Sequence, residues 1–151
     1  MNMKNLFLLL VCGLCFQSVG SFAQGYKIQV NIPQMSNKQV ILANYFEGKV
    51  YAVDTAQINS NGTGYFQKNN KKLARGMYIL LFSPSNYFDI MIGDNQNFSI
   101  TTDTLQVIDK IRFEGSPENT AFLGFQKVMT SATQKSRQIK EAMEKDPAKT
   151  S

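Results

Sequence analysis

Cys12 and Cys15 stand in C-x-x-C spacing (Cys12-Gly13-Leu14-Cys15) in this 151-residue chain. In a thioredoxin-like setting such a pair would cycle between dithiol and disulfide. Here it lies inside residues 6–16, LFLLLVCGLCF, an apolar run of the length found in the hydrophobic region of a secretory signal peptide. Lys4 supplies the short basic start, and Ser21 and Ala23 place small residues at −3 and −1 before Gln24. Residues 1–23 are therefore expected to be a leader cleaved near Ala23-Gln24, and the cysteine pair to leave with it. A membrane-spanning helix needs about 20 apolar residues, and Gln17 and Ser18 end this run short of that. A lipoprotein is the competing reading, but neither cysteine follows a small residue, since Leu10-Val11 precedes Cys12 and Gly13-Leu14 precedes Cys15. A soluble exported product, periplasmic in location, is the expectation.

From Gln24 to Ser151 the chain has no Cys, no His and no Trp. Without Cys there is no thiolate nucleophile, disulfide or sulfur ligand, and without His the commonest general base and metal ligand is missing. Paired carboxylates would need to face one cleft. Asp89, Asp94, Asp103, Asp109 and Glu114 instead fall singly, in turns or on the polar sides of strands. Asp94-Asn95-Gln96-Asn97 is rich in oxygen but lacks the spacing, glycine and bidentate acid of a calcium loop. Asp54-Thr55-Ala56 and Asp103-Thr104-Leu105 match the Asp-Ser/Thr-apolar sequence O-glycosylated in exported proteins of Bacteroides-type bacteria, which makes Thr55 and Thr104 candidate modification sites. Catalytic, cofactor-binding and metal-binding residues are not expected, and no cofactor is implied.

The elements that would carry these residues are strands. The 128 residues from Gln24 fit one domain with a workable core. Setting Lys4 aside, they carry 15 basic and 11 acidic residues, a dispersed net charge of +4 that fits solubility better than a nucleic-acid partner. The densest basic stretch, residues 68–75, reads as a solvated loop. Residues 26–32 alternate, with Ile28, Val30 and Ile32 on one side and Lys27, Gln29 and Asn31 on the other, as a half-buried strand does. Residues 42–67 read as a β-meander. One hairpin is expected near Glu47-Gly48, and a second near Asn61-Gly62 that pairs Gln57-Ile58 with residues 64–68. Residues 76–83, GMYILLFS, are apolar on both faces, as in a central strand covered on both sides. Residues 87–92 and 97–102 are expected to form a further hairpin, with Phe88, Ile90, Ile92, Phe98 and Ile100 inward, and residues 107–114 a weak last strand.

At Ser116 the period changes to that of a helix. Ser116, Pro117 and Glu118 suit the N-cap and first turn. Phe122, Phe125, Met129, Ala132, Ser136, Ile139 and Met143 then fall at alternating steps of three and four. The fold expected is all-β: an antiparallel β-sandwich of about eight strands (24–115), followed by one C-terminal amphipathic helix (116–146) and a short tail (147–151). Asp146-Pro147 would stop the helix.

Four stretches together, LANYFEGKVYAVDTA, GMYILLF, YFDIMIGDNQNFSITTD and FEGSPENTAFLGF, resemble the N-terminal β-domain, itself a domain of unknown function, of exported thioredoxin-like oxidoreductases from Bacteroides-type bacteria. The likeness covers about residues 24–130, and the Gly-Ser-Pro-Glu-Asn step is its most specific part. In that family a helical linker and a thioredoxin- or peroxiredoxin-type domain follow, and the catalytic C-x-x-C lies there. The chain stops at Ser151 before such a domain begins, so no catalytic residue carries over. The resemblance implies a non-catalytic accessory module, truncated or stand-alone, whose partner is a thioredoxin-fold domain or protein. It would dock at an apolar patch near Phe125, Ile139 and Met143. The alternative is a stand-alone exported sandwich that binds a glycan or other small ligand in a concave site lined by Tyr45, Tyr51, Tyr78 or Tyr87.

Overall fold

Strand β1 (Tyr26–Asn31) buries Tyr26, Ile28 and Val30 and turns Lys27, Gln29 and Asn31 away from the core. This is the alternation that its residues dictate. The computed structural model describes residues 25–145; the expected leader at 1–23, the expected stop at Asp146-Pro147 and the expected tail at 147–151 lie outside them. After β1 come β2 (Gln39–Phe46), β3 (Lys49–Gln57), β4 (Thr63–Lys68), β5 (Gly76–Ser83), β6 (Asn86–Ile92) and β7 (Asn97–Thr101). A short helix α1 (Val107–Lys110), β8 (Arg112–Glu114) and a long helix α2 (Pro117–Lys145) complete the described chain. The eight strands form two four-stranded sheets, ordered β4-β1-β7-β8 and β3-β2-β5-β6. Between them pack Ile28, Val30, Phe66, Phe98 and Ile100 from the first sheet and Val40, Leu42, Tyr78, Leu80, Phe88 and Ile90 from the second. Burial of such a side chain contributes about 1.5–3 kcal/mol.

Pairing is antiparallel except between β1 and β7, which run parallel, so the first sheet is mixed. That follows from how the chain travels, because it crosses between the sheets four times. The turn at Glu47-Gly48 is the expected hairpin, with φ of 50° and 75° at its two central residues and β2 paired to β3 on either side.

The Asn61-Gly62 turn is not a hairpin. Strand β4 leaves β3 there and pairs with β1 in the other sheet, from Tyr26↔Lys68 to Asn31↔Thr63. Gly62 sits at φ +81°, and a Cβ there would come within 2.7 Å of the Pro33 Cα, so the corner packs directly on the turn that follows β1. The expected hairpin of residues 87–92 with 97–102 is also a corner. Strand β6 belongs to one sheet and β7 to the other. The buried Gln96 side chain holds this corner: Leu73 N–H donates to its Oε1 (2.8 Å), and its Nε2 donates to the Leu73 carbonyl (2.9 Å). The five inward residues expected of these two strands are all buried.

Residues 107–114 depart further from expectation, since their first half is helical. Asp103 Oδ1 accepts from the N–H groups of Leu105 (2.9 Å) and Gln106 (2.6 Å), a side-chain turn that starts α1. Val107, Ile108 and Ile111 then share the helical i, i+1, i+4 face against the core. One polar bond links the sheets near their far side: the Tyr26 hydroxyl donates to Asp54 Oδ2 (2.6 Å). Burial, and then this bond, push the Tyr26 phenol far above the ordinary tyrosine range.

Candidate functional site

Strand β6 is the outer edge of its sheet, and α2 packs along it and against β8. The join is made by the Gly-Ser-Pro-Glu-Asn step. Gly115 takes φ +82°, and the Ser116 carbonyl accepts the first helical bond from Thr120 N–H (3.1 Å). Asn119, with 0 % of its surface exposed, turns its carboxamide onto β6. Its Oδ1 accepts from Met91 N–H (2.7 Å), and its Nδ2 donates to the Met91 carbonyl (2.7 Å) and to Ser116 Oγ (2.8 Å). One side chain thus pairs both outward backbone groups of an edge residue, which would otherwise be left unpaired in a buried place. Sequence reasoning assigned Asn119 no role; its place in the step that carried the resemblance was the available signal.

Beyond Asn119 the helix and the strand are no longer in direct hydrogen-bonded contact, and a groove of about 800 Å³ opens. Tyr87 and Asp89 of β6, Gln106 and Asp109 at α1, and Gln126, Lys127, Thr130 and Gln134 of α2 are among its walls. Burial raises the Asp89 carboxyl above the ordinary aspartate range. Gln126 Oε1 is closed off from solvent without a hydrogen-bond partner.

A second, smaller hollow of about 410 Å³ lies at the other end, between the start of β1, the end of β4 and residues 94–97. It is lined by Lys27, Lys68, Lys72 and Asp94, and Arg75 forms an ion pair with Asp94 nearby. Among the described residues, no group of three or more Cys, Asp or Glu side chains is placed to hold a metal ion. No helix there is long and apolar enough to cross a membrane.

The docking residues expected on α2 are all exposed: Phe125 by 59 %, Ile139 by 60 % and Met143 by 49 %. They do not lie on the docked face. The helix buries Asn119 and Leu123 and half-buries Phe122 and Gln126, whereas Phe125 and Met129 are open. At 100° per residue the 125/129/132 stripe is rotated by about a third of a turn from the 119/123/126 face. The Asn119 carboxamide, and not the apolar stripe, sets which face meets the sheet.

The four candidate tyrosines do not converge. Tyr78 is in the core, its hydroxyl donating to the Ala74 carbonyl (3.0 Å). Tyr45 and Tyr51 are exposed at the β2–β3 turn, and Tyr87 is opposite Leu81 at the other end of the sheet. Of the two candidate threonines, Thr55 is exposed on β3 and Thr104 half-buried before α1. Both acids preceding them have structural partners: Asp54 accepts from Tyr26 and from Thr55 N–H (2.9 Å), and Asp103 initiates α1.

The largest departure from an ordinary half-solvated sheet is the outside of β3-β2-β5-β6. The register places Gln39, Ile41, Ala43 and Tyr45 of β2, Val50, Ala52, Thr55 and Gln57 of β3, Met77, Ile79 and Leu81 of β5, and Tyr87, Asp89 and Met91 of β6 on that side, so the face is apolar at its β5–β6 half and more polar at the start of β2 and end of β3. Asp89 is the one acidic or basic side chain on the two strands β5 and β6 there. Strand β5 is therefore apolar on both faces as expected, and its outer face is unevenly exposed: Ile79 is only 2 % exposed, while Met77 is 44 % exposed.

A two-sheet sandwich closed along one side by a helix is the class that this geometry defines. Residues 26–122 match the model of the family described as Domain of unknown function (DUF4369), and the chain belongs to that family. No curated protein matches it.

Proposed function

We propose that this domain is a non-catalytic interaction module of an exported protein and that the outside of the β3-β2-β5-β6 sheet is its main docking surface. The supporting observation is the chemistry of that face. An antiparallel sheet with one side in water ordinarily alternates apolar-in and polar-out, whereas this face leaves Tyr45, Val50, Met77 and Tyr87 exposed, and exposed apolar groups gathered on one face mark an interaction surface. The exposed stripe of Phe125, Ile139 and Met143 on α2 extends the surface available to a partner. Following the family resemblance, the partner is a thioredoxin-fold domain or protein, which places the module beside periplasmic thiol–disulfide exchange without a thiol of its own.

The test is capture of a purified thioredoxin-fold protein from the source organism's periplasm by the immobilised domain. Met77→Asp with Leu81→Asp should abolish capture, and Ile139→Asp with Met143→Asp should weaken it. Unchanged capture by the sheet double variant would refute the assigned surface.

A further inference from the structure

We propose that the groove between β6, α1 and α2 takes up an extended peptide segment, which adds to the free edge of β6 at Tyr87–Asp89 and sets a lysine or arginine side chain against Asp89. This goes beyond the docking role of the sheet face and does not depend on it.

The direction of the edge groups follows from the register. Met91 gives both its N–H and its C=O to Asn119, so it faces Met77 across a pair that exchanges no ladder bonds. The β5–β6 register is unbroken from Met91 back to Tyr87. In an antiparallel pair the outward positions recur every second residue, so Asp89 and Tyr87 point their N–H and C=O the same way as Met91 does. Among the described residues, no strand or side chain pairs those groups. At Met91 the Asn119 carboxamide already stands in for the peptide group of an adjoining strand, with one acceptor and one donor. The groove begins where that substitute ends, along the unpaired part of the edge.

Two further features describe the occupant. Gln126 lines the groove and its Oε1 has no donor, so a small turn of that side chain toward an incoming backbone N–H would satisfy it. Asp89 forms no ion pair; of the charged groups lining the groove, Lys127 comes from α2 and Asp109 from α1. Its desolvated carboxylate favours a cationic side chain directly across the strand pair. Residues of α1 and α2 wall the groove beside the edge, so the occupant proposed is a single extended segment and not the sheet edge of a second copy with its own flanking helices.

The test uses a labelled heptapeptide, Ser-Val-Thr-Lys-Thr-Val-Ser with blocked ends, titrated into the purified protein and followed by fluorescence anisotropy and amide exchange. Binding should saturate in the micromolar to low millimolar range and slow exchange of the Asp89 amide. Replacing the peptide lysine with glutamate should weaken binding roughly fivefold to tenfold, and Asp89→Lys should reverse that preference. Methylating alternate peptide nitrogens should abolish binding in one of the two phases. A bulky Thr130→Trp in the groove wall should abolish binding while leaving the unfolding midpoint unchanged. No saturation at millimolar peptide, a preference that Asp89→Lys fails to reverse, or indifference to methylation in both phases would overturn the proposal. So would protection of the Asp89 amide that appears without peptide as the protein self-associates, which would assign the edge to a second copy.

Discussion

The two sheets share one core but present different chemistry to the outside. On β4-β1-β7-β8 the outward positions are Tyr65, Gln67, Lys27, Gln29, Asn31, Ser99, Thr101, Arg112 and Glu114, with Lys27 Nζ 5.3 Å from the centre of the Tyr65 ring. On β3-β2-β5-β6 they are chiefly Ile, Ala, Val, Tyr, Met and Leu. The first sheet is mixed, with strands of three to six residues, and the second is antiparallel, with strands of seven to nine, but neither difference dictates the chemistry of an outer face. What differs is the outer face itself: polar on the first sheet, chiefly apolar on the second. Ordinary core requirements account for the inner faces alone, and the proposed interface would account for the apolar outer one.

That contrast can be broken at individual positions. The largest effect is expected at Ile79, which is buried on the outer face. Ile79→Ala should cost about 2–3 kcal/mol in urea unfolding, whereas Gln29→Ala on the polar sheet should stay within about 0.5 kcal/mol of the parent. Equal effects would remove the distinction. Next comes the edge closure: Asn119→Ala strands the Met91 N–H and C=O and should cost about 2 kcal/mol, with faster exchange of the Met91 amide. A surviving slow amide would show that other groups satisfy it.

A smaller effect on stability, about 0.5 kcal/mol or less, is expected for Leu81→Asp at its half-exposed position, even as partner capture is lost. The smallest concerns Asp89. Because burial raises its folded-state pKa above the ordinary aspartate value, its contribution to stability is fully present below that ordinary value and is lost as pH rises through the raised one. Wild type should therefore lose stability relative to Asp89→Asn across that window as the pH is raised, measured by paired urea titrations. Parallel pH profiles would show that the carboxylate is adequately solvated.

The inward positions were legible because alternation is a local signal: Ile28 and Val30, or Phe98 and Ile100, declare their face from their neighbours. The Glu47-Gly48 hairpin was legible for the same reason. The corners at Asn61-Gly62 and Gly93–Gln96 were not, since turn residues specify backbone angles and not which sheet the next strand joins. Nor was α1, where the Asp103 side chain overrides the strand preference of Val107 and Ile108. Asn119 was hidden by distance, as its partner Met91 lies 28 residues away in sequence. A polar side chain buried on an edge strand leaves no periodic trace. The apolar stripe of α2 was read correctly as a stripe, yet the docked face is set by Asn119 and Leu123 beside it.

The most direct test of the central claim is hydroxyl-radical footprinting of the protein alone and with a periplasmic thioredoxin-fold partner. Protection of Tyr45, Met77, Leu81 and Met91, with Tyr65 on the opposite sheet still reactive, is the predicted result. Protection confined to Tyr65 and the polar sheet, or no change at Met77 and Met91 when the partner is bound, would contradict it.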